Sequence, residues 1–172
     1  MKRTFFSRRL FIPVCLASFA LLQASTVAQT GVLQWSAWNN LSGVAVEDLT
    51  QAPKFLNAPD VNFTVASSGS PIDSNDSFGG RLRGTITAPV TGNYTFWIAS
   101  DDSSELWLGT AESRFSKQLI ASVNGWTPVQ SWNVYGSQQS VAVTLQAGQK
   151  YWIEALVKDT ETLEGRKSLV LK

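Results

Sequence analysis

Two adjacent aspartates, Asp101 and Asp102, interrupt the stretch Ile98-Ala99-Ser100-Asp101-Asp102-Ser103-Ser104-Glu105-Leu106-Trp107-Leu108-Gly109, between alternating apolar runs at 94–98 and 105–108. Strand residues alternate between faces, so an ordinary extended pair would send one carboxylate toward a core, where an unpaired charge is very costly. The pair therefore needs compensation, and the simplest kind is a sharp turn in which the aspartates accept backbone hydrogen bonds. Catalytic alternatives are few. The chain has no histidine, and its single cysteine is Cys15. Ser-His and Cys-His nucleophilic sites and a His/Cys zinc site are excluded. Glycoside cleavage needs carboxyl groups roughly 5 to 9.5 Å apart, supplied by separate elements. Adjacent aspartates do not provide that, which leaves only Asp101 with Glu105, Glu154 or Asp159.

The first 28 residues carry Lys2, Arg3, Arg8 and Arg9, no acid, and an apolar run at 10–22 that ends in small and polar residues. This is a signal-peptide pattern with a cut after Ala28, too short and wrongly flanked for a membrane span. Ser7-Arg8-Arg9-Leu10-Phe11-Ile12 fits a twin-arginine signal except at Pro13; a general secretory leader with a basic end explains it as well. Ile12-Pro13-Val14 before Cys15 fits a lipoprotein box poorly. Cleavage would leave 29–172 as a cysteine-free exported domain, held by its core alone or by a metal. Ten basic residues would then face 13 acidic ones, a net charge of −3. That balance offers no basic patch for nucleic acid or an anionic membrane.

Period-two alternation recurs and helical periodicity is nearly absent. Strands are predicted at 32–38, 44–49, 61–65, 81–87, 93–100, 106–108, 119–123, 139–145 and 150–158, with a closing strand at 168–171. In the fourth, Leu82 and Ile86 share one face and Arg81 and Arg83 the other. Pro89-Val90-Thr91-Gly92 reads as a turn with a positive φ at Gly92, and Ala147-Gly148-Gln149 as a tight turn. Trp97, Trp107 and Trp152 are out of phase with their apolar neighbours and are expected to fill a second sheet face under the N-terminal strands. Asp73-Ser74-Asn75-Asp76 resembles a calcium loop, but its glycine position holds Phe78 and no glutamate follows at the required distance, so it reads as a solvated loop. Short strands with Gly/Pro turns predict an all-β, antiparallel β-sandwich of one domain. Trp126, Trp132 and Tyr135 fall in or near loops, where an aromatic face either stacks on a sugar ring or covers the end of the core.

The run "GRLRGTITAPVTGNYTFWIASDDSSELWLG", followed by "IASVNGWT" and "QSVAVTLQAGQKYWIEALVKD", resembles the protective antigen fourteen-kilodalton domain family from about Val32 onward. The resemblance implies a β-sandwich module in which, among sugar-binding members, a cis Asp-Asp pair chelates one Ca²⁺ that coordinates sugar hydroxyls. Carried over, Asp101 and Asp102 would hold the ion. The loop after 151–157 would supply the rest: Asp159 as a third oxygen ligand or as part of a charged surface turn, with Thr160 and Glu161 beside it. The family's asparagine, or its Gly-rich run ending in Asp-His, is missing there, as is its terminal tryptophan. The expected function is a secreted, periplasmic or extracellular carbohydrate-binding module using Ca²⁺, not an enzyme. The alternative is a structural or protein-interaction sandwich of the cell envelope with neither metal nor sugar.

Overall fold

A computed structural model describes residues 32–71, 77–160 and 169–172. The leader, Asp73 to Asp76 and Glu161 lie outside the described residues. Ten strands form: β1 (Leu33–Trp38), β2 (Val61–Val65), β3 (Phe78–Thr87), β4 (Gly92–Tyr94), β5 (Ile98–Ser100), β6 (Ser104–Gly109), β7 (Lys117–Val123), β8 (Val143–Leu145), β9 (Lys150–Asp159) and β10 (Leu169–Leu171). All pairings are antiparallel. The main sheet has the order β2-β1-β3-β9-β6-β7, and two short ladders, β10-β5 and β4-β8, complete the sandwich.

The long β3–β9 pairing, in register from Phe78↔Asp159 to Thr87↔Lys150, is the spine. Alternation along it sorts the side chains. Leu82, Ala155, Ile153 and Val157 face inward and meet Trp35, Phe78 and Leu106 of the main sheet and Ile98 and Leu169 of the β10-β5 ladder in one buried cluster. Arg81, Arg83, Trp152 and Glu154 take the outward phase, as the sequence pattern required. A second cluster, Ala88, Leu108, Leu145 and Tyr151, closes the core under the β4-β8 ladder. No helix among the described residues is long and apolar enough to cross a membrane.

Four local expectations are corrected. Residues 44–49 are not a strand: Val46–Thr50 is a short helix, α1. Val46 and Leu49, three apart, share one helical face and pack on Trp38, Leu41 and Leu156, while Val44 is exposed. Asp48 accepts the Ala45 N–H at 2.9 Å and so ties down the helix start. The predicted strand 93–100 is two, because the chain changes partner at Phe96. The Phe96 N–H donates to Ser140 Oγ (2.9 Å), whereas the Trp97 N–H donates to the Lys172 carbonyl (2.8 Å). Strand β8 is shorter than 139–145, since a 3-10 helix, Gly136–Gln138, leads into it. Finally, Gly148 does take a positive φ (75°), but Gly92 does not; it sits inside β4 with open space beside its Cα.

The tryptophan expectation also changes. Trp107 and Trp152 lie half-buried on the outer face of the main sheet. What the N-terminal segment covers there is Trp38 and Leu156, using α1 and the 3-10 helix Pro53–Leu56.

Candidate functional site

The Asp101-Asp102 turn joins β5 to β6 at one end of the sandwich. Asp102 has φ 55°, a left-handed conformation that aspartate tolerates because its short side chain bonds locally. No peptide bond among the described residues is cis. The resemblance implied a cis junction, and the structure instead redirects the pair through the left-handed residue. Ser100 Oγ donates to the Asp102 carbonyl (2.7 Å) and shares a hydrogen bond with Ser104 Oγ (2.6 Å), which closes the turn.

The end of β9 is laced to this turn. The Lys158 N–H donates to the Ser103 carbonyl at 2.9 Å. Asp102 Oδ2 accepts from both the Thr160 N–H (2.9 Å) and the Thr160 hydroxyl (2.6 Å). Asp159, between them, is fully buried, as is Lys158, whose ammonium donates to the Asp159 carbonyl at 3.1 Å. Burial lowers the Lys158 pKa, and the carboxylates of Asp159, Asp102 and Asp48 oppose that shift. Asp102 and Thr160 thus come together, with Asp159 the residue before Thr160 on the strand and Asp101 half-buried in the same turn. Among the described residues no three His, Cys, Asp or Glu side chains converge as a metal cluster. Glu105 and Glu154, the other carboxylates considered with Asp101, lie on the outer sheet face and bond Trp107 and Trp152.

A second loop docks on the same turn. Thr127, buried, donates its N–H to the Ser100 carbonyl (2.9 Å), and its Oγ1 accepts the Ser100 N–H (3.0 Å). That contact places Trp126, 48% exposed, one residue from the strand that ends in the aspartates. Gln138 organises the rest of the loop from a fully buried position. Its amide nitrogen donates to the carbonyls of Ile98 (3.0 Å) and Ser131 (2.7 Å), and its oxygen accepts the N–H groups of Val134 (2.7 Å) and Tyr135 (2.9 Å). The Tyr135 hydroxyl lies 3.0 Å from where a Cβ on Gly125 would stand, so the Trp126 and Tyr135 loops touch. Trp132 is different: it is half-buried, and the Lys172 ammonium lies 5.9 Å from its ring and 5.1 Å from that of Trp97. Lys158, Thr127 and Gln138 were not anticipated: Thr127 meets Ser100, the Gln138 amide meets Ile98, and the Lys158 N–H meets Ser103, all distant in sequence.

The fold and this turn define a PA14 domain. The family model for that domain matches residues 42–157, and the chain belongs to the family. Mouse fibrocystin is 37% identical over 99 residues, covering 52% of this chain and 2% of that protein. The mouse N-acetyl-beta-glucosaminyl-glycoprotein 4-beta-N-acetylgalactosaminyltransferase 1 is 35% identical over 89 residues, covering 49% of this chain and 9% of the relative. The chain therefore spans a small part of the curated relatives it matches. The PA14 domain of MpAFP antifreeze protein superposes with a TM-score of 0.57 at 15% identity, over 83% of this chain and 79% of that one. The Epithelial Adhesin 9 A domain from Candida glabrata, in complex with Galb1-4GlcNAc, gives 0.53 at 13% identity, over 81% and 80%. These similarities establish the fold.

Proposed function

We propose that this domain is an exported, non-catalytic carbohydrate-binding module whose ligand sits over the Asp101-Asp102 turn, with Asp101, Asp102 and Asp159 as the candidate ligands of a calcium ion whose binding would have to draw their carboxylates together. One observation carries the reading. The aspartate turn, the Asp159-Thr160 segment and the loop bearing Trp126 and Tyr135 are hydrogen-bonded into one end of the sandwich. Hard carboxylate oxygens suit Ca²⁺, which would supply charge compensation and open positions for sugar hydroxyls. Trp126 and Tyr135 offer exposed aromatic faces for a sugar ring. Glu161, outside the described residues, stays in the expected polar set on sequence alone, while Trp132 packs with Lys172 and contributes support rather than an open face. The glycan held by the structurally similar adhesin is consistent with this use of the fold.

A second reading rests on one feature of the same turn. Thr160 already satisfies Asp102 Oδ2 twice, and the Lys158 ammonium lies among the acids, so the cluster can be neutralised without metal. That is the structural or protein-interaction module. A glycan array in calcium and again in chelator, followed by calorimetry on any hit, separates the two. Calcium-dependent glycan binding that Trp126→Ala weakens supports the lectin reading; no glycan binding in either condition overturns it.

A further inference from the structure

The outer face of the main sheet, away from the aspartate turn, holds a cleft of about 280 Å³. Its floor is Arg81, Arg83, Trp152 and Glu154, and its rim carries Arg114, Phe115 and Lys117. Four cations thus surround one carboxylate. Glu154, 7% exposed, is already engaged by the Lys117 ammonium and by the Trp152 indole N–H (3.3 Å). None of the three arginines forms an ion pair among the described residues.

Each arginine is nonetheless held in place. Arg83 directs Nε and Nη2 to Gln34 Oε1 (3.0 and 2.8 Å). The Arg81 guanidinium packs 5.1 Å from the Trp38 ring and 5.2 Å from the Phe55 ring, and its buried Nε has no hydrogen-bond partner. Arg114 lies 4.8 Å over Phe115. Burial depresses the Arg81 pKa, and the Arg83 and Arg114 charges add to that shift while Glu154 opposes it, so positive charge is in excess in the cleft. Three guanidinium groups and one ammonium around a single carboxylate leave an excess of positive charge, which beside exposed aromatic surface suits a planar or tetrahedral oxyanion carried on a ring.

We propose that this cleft is a second binding site, which takes the carboxylate or sulfate group of an acidic saccharide, with Trp152 and Phe115 against the sugar ring. The saccharide half rests on the carbohydrate reading above, while the oxyanion half stands on the cleft alone. The test is low-salt titration calorimetry of the whole protein with digalacturonic acid, its neutral counterpart galactobiose, and sodium sulfate. Digalacturonate should bind the wild type, lose at least about tenfold in affinity in Arg114→Gln, and bind Asp102→Asn unchanged. Arg114 is exposed and forms no ion pair among the described residues, so its replacement should leave folding intact; Arg83→Gln gives a second, floor-level check. Galactobiose should show no arginine-dependent heat. Sulfate binding as tightly as the disaccharide would overturn the saccharide assignment. Digalacturonate binding that Asp102→Asn abolishes, or that neither arginine variant weakens, would overturn the site.

Discussion

Gln138 makes four hydrogen bonds from a buried position and fixes the loop that carries Tyr135. Gln138→Ala strands two carbonyls and two N–H groups, so it should cost about 2 kcal/mol or more. Calcium-independent destabilisation in urea is the expected result, and an unchanged midpoint would mean that the loop is held otherwise. No local sequence pattern reveals this residue, since its role is to tie the nearby loop at Ser131, Val134 and Tyr135 to the distant Ile98. The aspartate pair, in contrast, stood out as two adjacent charges between apolar strands, but the left-handed Asp102 was not legible, since a cis junction was expected in its place. Glu105 supplies a pH test. Burial raises its pKa above the ordinary 4.5, against the opposing hydrogen bond from the Trp107 indole. A carboxyl raised on folding stabilises the native state fully below 4.5, and the contribution is lost as pH rises through the folded value. Glu105→Gln keeps an acceptor for Trp107, so it should gain stability relative to wild type between pH 4.5 and 7. A stability difference that stays flat over that window would refute the assignment.

At the scale of elements, the strands with strict alternation were readable and those that change partner were not. β3 alternates Leu82 and Ile86 with Arg81 and Arg83, so period two shows there, while β9 is apolar enough along its length to be read as a strand and is buried on both faces from Ile153 onward. Residues 93–100 keep the same alternation, yet they serve two ladders, and nothing local announces the switch at Phe96. α1 hid for a related reason: Val44 and Val46 mimic a strand, while the i, i+3 pair Val46 and Leu49 is what gets buried. Close packing between elements yields another prediction. A Cβ on Gly80 would stand 2.3 Å from Trp35 Cη2 and 2.9 Å from Val157 Cγ1, inside the core between β1 and β9. Gly80→Ala should therefore cost about 1–3 kcal/mol by overpacking. Gly92→Ala is the matched control, since Gly92 has open space and no positive φ; it should be neutral or slightly stabilising. Equal losses in the two variants would show that strand glycines matter for reasons other than packing.

Over the whole molecule, a cysteine-free sandwich places a fully buried lysine and aspartate side by side at one end. Lys158 and Asp159 are both fully buried there, beside Asp102. Composition gave the absence of histidine chemistry, but the burial of Lys158 depends on β9 passing under α1 and beside the aspartate turn, which only the folded topology supplies. If calcium binds this end, it binds the native state alone and must raise global stability, by about 2.7 kcal/mol when free calcium is a hundred times its Kd. Chelation should then lower the wild-type melting temperature. Asp102→Asn retains an acceptor for the Thr160 N–H and hydroxyl but removes a full charge from the cation site, so its melting temperature should be the same in calcium and in chelator. The metal-free module predicts another pattern, in which wild type and variant differ by one constant amount whether or not calcium is present. A wild-type melting temperature unmoved by millimolar calcium would end the calcium reading and leave the acids compensated by the protein itself, with Lys158 among the groups that do so.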